Sequence, residues 1–117
     1  AIDNLPAKKV PINHVDWEVQ RYFQNVLGLQ NYLKLNNIKY VMYNALPPPT
    51  IRKNDHHTLY CSIDQRHFFN VDSSQYYHCE QNNRFISNTD HHPNEKGIEE
   101  WAGMVCKHID TNKLYED

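Results

Sequence analysis

From Val15 to Leu33, apolar residues recur at steps of three and four, and this spacing constrains the fold more than any other feature of the chain. Val15, Val19, Tyr22, Val26, Leu29 and Leu33 fall on one face of a helix, and Phe23 and Leu27 widen the stripe. A helix striped in this way must be covered by another layer. Asn13 suits its N-cap and Asp16 its first turn, where a carboxylate meets the positive end of the helix dipole. Gly28 interrupts it at about 1 kcal/mol relative to Ala, yet the stripe runs on to about Leu35. Asn36-Asn37 marks the stop, because Asn tolerates the left-handed conformation at a helix end.

Beyond that helix, short runs rich in β-formers alternate with polar turns. Residues 38–46 (IKYVMYNAL) predict a strand that Pro47-Pro48-Pro49 terminates, since proline cannot donate to a ladder. The runs TLYCSI, HFFNV, QYYHC and RFIS predict further strands. Asp64-Gln65-Arg66, Asp72-Ser73-Ser74 and residues 80–83 supply the turns between them. Ile98, Trp101, Ala102, Val105 and Ile109 then predict a second helix to about residue 110, weakened by Gly97 and Gly103. Residues 1–12, with Pro6 and Pro11, read as an extended arm, and residues 111–117 as a frayed tail. The expectation is a single α+β domain over residues 1–117. A long N-terminal helix and a C-terminal helix would pack on one face of an antiparallel sheet of about four to five strands.

Charge narrows the partners. The formal net charge is −2, basic residues are scattered from Lys8 to Lys113, and only Lys8-Lys9 and Arg52-Lys53 are adjacent. No basic stripe is present, which argues against nucleic acid and against an anionic membrane surface as partners. No apolar run approaches the ~20 residues of a membrane span. There is no signal-peptide pattern, and a start at Ala1 fits processing or trimming. Three cysteines, Cys61, Cys79 and Cys106, cannot all pair within one chain, which favours a reducing compartment or non-disulfide roles.

The residues that could carry chemistry centre on a repeated triplet, Asp55-His56-His57 and Asp90-His91-His92. Asp90-His91-His92-Pro93, placed after RFIS, resembles the motif that names the DHH phosphoesterase family. The resemblance implies carboxylate and imidazole ligands for a divalent metal, and hydrolysis of phosphodiester or pyrophosphate bonds. It covers a handful of residues, and the upstream aspartate motifs and the length of that family's doubly wound domain are missing. His56-His57-Thr58-Leu59 is similar to the His-x-Thr-Leu of two-histidine phosphoesterases, whose acid and base need a second such motif; this chain has none. Zinc or manganese on Asp55, His56, His57, Asp90, His91 and His92 is the corresponding metal expectation. Cys61, Cys79 and Cys106 with His78, His91, His92 or His108 would make a Cys₃His zinc set, although no compact Cys-x₂-Cys or His-x₃-His spacing supports it. In a meander, Cys61 and Cys79 would stand one strand apart and act as buried thiols. Paired histidines such as His56, His57, His67 and His78 could do acid–base work without metal, against the simpler reading of structural imidazoles.

Aromatic residues point elsewhere. Trp17 and Trp101 read as core. In a strand, one of Tyr76 and Tyr77 and one of Phe68 and Phe69 must face outward, and an exposed aromatic sheet face marks a protein contact. Asn occurs 14 times and Tyr 8 times, a composition that AT-rich codons or a contact surface would both produce. The leading expectation is a non-catalytic accessory subunit, needing no cofactor. It would dock on a protein partner or a second copy through Tyr76, Tyr77, Phe68, Phe69 and the Pro47, Pro48 and Pro49 segment. Second stands a small metal- or histidine-dependent phosphodiesterase or nuclease, with His56, His57, His91 and His92 as catalytic groups. A zinc-stabilised binding module stands third.

Overall fold

The computed structural model describes residues 10–49 and 57–116, with side chains from 17 to 49 and from 58 to 116. Helix α1 spans Val10–Leu35. It therefore begins ahead of the expected Asn13 cap, with Pro11 in a first turn that needs no donor there; residues 1–9 of the expected arm lie outside the described residues. Val19, Phe23, Val26 and Gln30 are its buried positions, a spacing of four, three and four. The stripe is thus centred on Phe23, and Leu29 turns outward at 45% exposure. The helix ends as its sequence suggests. Asn37 is left-handed at φ 54°, its N–H donates to Lys34 O, and the Ile38 N–H donates to Leu33 O at 2.9 Å. This pair of bonds closes the last turn on its own carbonyls.

Among the described residues, those of 1–32 with 49–63 make one compact unit, and those of 33–48 with 64–117 make the other. The first holds most of α1 and a short helix α2, His57–Ser62, with Ile63 buried behind it. The second begins with the end of α1 and an extended segment, residues 38–48. A 3-10 turn Gln65–His67, helix α3 (Gln75–Asn82), helix α4 (Glu95–Asn112) and a closing 3-10 turn Leu114–Glu116 complete it.

The antiparallel sheet is absent among the described residues. Among the described residues the molecule is mostly helical, and its only β pairings are two isolated bridges, Met42 with Phe68 in parallel and Phe85 with Pro93 in antiparallel sense. The run 38–46 is extended as expected but pairs only at Met42, whose N–H donates to His67 O and whose carbonyl accepts from Phe69 N–H, both at 2.8 Å. TLYCSI forms most of α2, QYYHC begins α3, and HFFNV runs from the end of a 3-10 turn through the Phe68 bridge into a turn. The reason lies in the caps. Ser74, fully buried, accepts the Tyr77 N–H on its Oγ at 3.0 Å and starts α3; Asn83, left-handed at φ 56°, ends it. A residue read as a turn is therefore a helix start. RFIS does pair, but only with its own return across the loop: Ile86 N–H to His92 O at 3.0 Å and Asn94 N–H to Arg84 O at 2.7 Å.

The C-terminal helix runs to Asn112, two residues further than expected, from an N-cap in which Asn94 Oδ1 accepts the Gly97 N–H at 2.8 Å. Beyond it the expected loose tail turns back through left-handed Lys113 and buries Leu114 at 4% exposure. Gly97 is not a weakness of α4. A Cβ there would come within 2.9 Å of Arg84 Cβ and 3.1 Å of Cys79 Sγ, so the absent side chain is what lets α4 approach α3. The core of this unit is Phe68, Val71, Cys79, Trp101 and Leu114.

Candidate functional site

Asn44 organises the face that carries the proline segment. Its buried side chain donates to Val71 O at 3.0 Å and Ser73 O at 2.9 Å, and its carbonyl accepts the Gln75 N–H at 2.9 Å. One residue on, the Ala45 carbonyl accepts the Tyr76 N–H at 3.0 Å. Two donors that the first turn of α3 cannot satisfy internally are thereby taken by the extended segment. The next pair in this register is Leu46 and Tyr77, and both are open to solvent, at 68% and 51% exposure. Pro47 follows exposed, Pro48 and Pro49 half-buried. Leu46 was missed in the sequence; an apolar residue directly ahead of three prolines was the available signal.

The other aromatic residues expected at a contact face are not on one. Phe68 is 2% exposed and belongs to the core. Phe69 is half-buried edge-on against Trp101, ring centres 5.1 Å apart, and against His108 at 5.5 Å. Tyr76 is half-buried and packs on Phe85 at 5.0 Å. These residues stand on helices, turns and a bridge, so the strand rule of alternating faces does not sort them. Of the expected docking set, Pro47 and Tyr77 are exposed, Pro48, Pro49 and Tyr76 are half-buried, and the backbone bonds to Asn44 and Ala45 tie the segment just ahead of the prolines to the start of α3.

The five histidines whose side chains are described each bond a local group. His91 stacks on Phe85 at 4.8 Å and donates from Nε2 to Asn88 O at 3.0 Å, a tautomer fixed because a carbonyl can only accept. His92 Nδ1 bonds the Asp90 carboxylate, which also accepts the His92 N–H. These bonds hold the Asp90 carboxyl below its usual range, the side-chain bond from His92 being the larger cause. His67 donates from Nδ1 to Asp64 at 2.9 Å, His78 from Nε2 to Glu100 at 3.1 Å, and His108 from Nε2 to Arg66 O at 2.8 Å. Asp90, His91 and His92 thus form an exposed turn. Asp55, His56 and the side chain of His57, the other half of the expected metal and catalytic set, lie outside the described residues.

Among the described residues, no group of three or more His, Cys, Asp or Glu side chains is gathered as a metal site. None of the three cysteines is in a disulfide; Cys61 and Cys106 are exposed and Cys79 is buried. Burial pushes the Cys79 thiol up, with the Glu100 charge adding to it. Arg84, through its side-chain hydrogen bond, and then His78 hold the Glu100 carboxyl below its usual range. The described part of the molecule contains no helix long and apolar enough to cross a membrane. No protein-family model, curated protein or solved structure matches the chain.

Proposed function

We propose that the chain is a non-catalytic docking module that engages a protein partner through Leu46, Pro47, Pro48 and Tyr77. The observation that carries this reading is the pair of backbone bonds, Gln75 to Asn44 and Tyr76 to Ala45, that fix the proline segment against the start of α3 while Leu46 and Tyr77 stay exposed. A partner meeting this edge finds apolar side chains on backbone already immobilised, so little ordering entropy is lost on binding. Proline adds to that economy, because its φ is preset. The same structure engages His91 and His92 with their own turn, which favours docking over hydrolysis.

Photo-crosslinking in the native source tests the proposal. A diazirine side chain at Leu46 or at Tyr77 should capture the same protein, and the same probe at Lys107 should not. Leu46→Ser with Tyr77→Ser should remove that capture without lowering Tm. An adduct of two copies of the chain would identify the partner as a second copy. Capture equal at Lys107, or persisting in the double variant, defeats the reading.

A further inference from the structure

Among the described residues no hydrogen bond reaches the carbonyls of Leu46, Pro47 or Pro48. The chain bends at Ala45 and Leu46 and then passes through Pro47 and Pro48 outside any helix or strand. Each proline ring holds its own φ at about −65°. Pro47 and Pro48 also each precede a proline, which pushes their ψ into the extended range. With trans peptide bonds throughout the described residues, this pair has polyproline II backbone. Proline has no N–H, so the stretch can accept hydrogen bonds and cannot donate them. Its start is held in place, because the Ala45 carbonyl accepts the Tyr76 N–H of α3 at 3.0 Å. Leu46, 68% exposed, adds an apolar side chain directly ahead of it.

We propose that the partner reads Pro47 and Pro48 as polyproline II backbone, in a groove lined by Trp and Tyr side chains. This rests on the docking reading above and names the chemistry of the partner. A backbone that only accepts selects a surface that donates. The indole N–H of Trp and the phenol O–H of Tyr supply the donors, and their flat rings pack on the pyrrolidine rings. A strand laid alongside fits less well. Its own carbonyls would face two residues without an N–H and would lose their ladder bonds. Leu46 then fills an apolar pocket beside the groove. Because the segment is stiff before it binds, the groove has little chain entropy to remove.

Two readouts on the full chain test it. In the first, the diazirine probe stands at Tyr77, where it reports docking without altering the prolines. Pro47→Ala with Pro48→Ala restores two N–H donors and loosens the backbone, and should lower capture by about tenfold with Tm unchanged. Pro47→Ala alone, at an exposed position, should give a smaller loss of the same sign and spares the half-buried Pro48. In the second, the probe stands at Leu46, and mass spectrometry of the crosslinked peptide maps where it attaches. The attachment should fall in the partner beside a groove lined by Trp and Tyr. Attachment at a strand edge or at a surface without aromatic residues overturns the proposal. So does capture at Tyr77 that is unchanged or higher in both proline variants. Either result leaves docking itself standing, whereas no capture at Tyr77 in the unaltered chain removes the docking reading and this inference with it.

Discussion

Arg84 meets Glu100 side-on, Nε to Oε1 at 2.9 Å and Nη2 to Oε2 at 3.3 Å, and so ties the residue just past α3 to the second turn of α4. His78, on α3, reaches the same Oε1 at 3.1 Å. Because these bonds hold the folded-state carboxyl low, the folded protein binds this proton less readily than the unfolded chain. The stabilisation is therefore complete above the ordinary carboxylate value of 4.5 and is lost as pH falls through the lower folded-state value. Thermal melts taken between about pH 6 and about pH 3 should show a falling Tm, with a shallower fall in Glu100→Gln. Parallel curves for the two proteins would show that this carboxylate is not part of the acid response.

Gly28 in α1 and Gly97 in α4 should answer oppositely to alanine. At Gly97 a Cβ would press on Arg84 and Cys79, so Gly97→Ala should destabilise by about 1–3 kcal/mol. At Gly28 nothing lies within 4 Å of the added atom, and Gly28→Ala should stabilise by about 0.5–1 kcal/mol. Denaturant melts of the two single variants measure both, and the same sign for both would contradict the packing described.

Asn44→Ala removes two side-chain donors and leaves the carbonyls of Val71 and Ser73 without them. The expected cost is about 2–3 kcal/mol, read as a drop in denaturant midpoint. Proteolysis should then cut near the Pro47 segment more readily, because the same residue anchors it to α3.

Thiol titration should separate the three cysteines. Cys61 and Cys106 are exposed and should react with a disulfide reagent in the native state, while Cys79, 0% exposed, should react only on unfolding. Three fast thiols would place the interface of α3 and α4 in a different arrangement.

The parts of the fold visible in sequence are those whose cause is local. The periodicity of α1, its stop at Asn36-Asn37 and the stripe of α4 are each produced by residues a few positions apart. Helix α3 escaped notice because Cys79 is its one buried residue, so it carries no 3.6-residue stripe, and Tyr76 and Tyr77 lend it the look of a strand. Its start at Ser74 was hidden in a run that also satisfies the chemistry of a turn. Leu46 and Tyr77 share an edge only because Asn44 reaches the turn ahead of α3, a pairing of residues remote in sequence.

The two tryptophans have contrasting surroundings, one in each compact unit. Trp101 is enclosed between Tyr43 and Phe69, and its indole N–H finds no acceptor among the described residues. Trp17 is 52% exposed beneath the Arg21 guanidinium. Native fluorescence should therefore contain a blue component and a red one. Loss of the blue component alone would time the opening of the α3–α4 unit separately from that of its neighbour, using light the protein already emits.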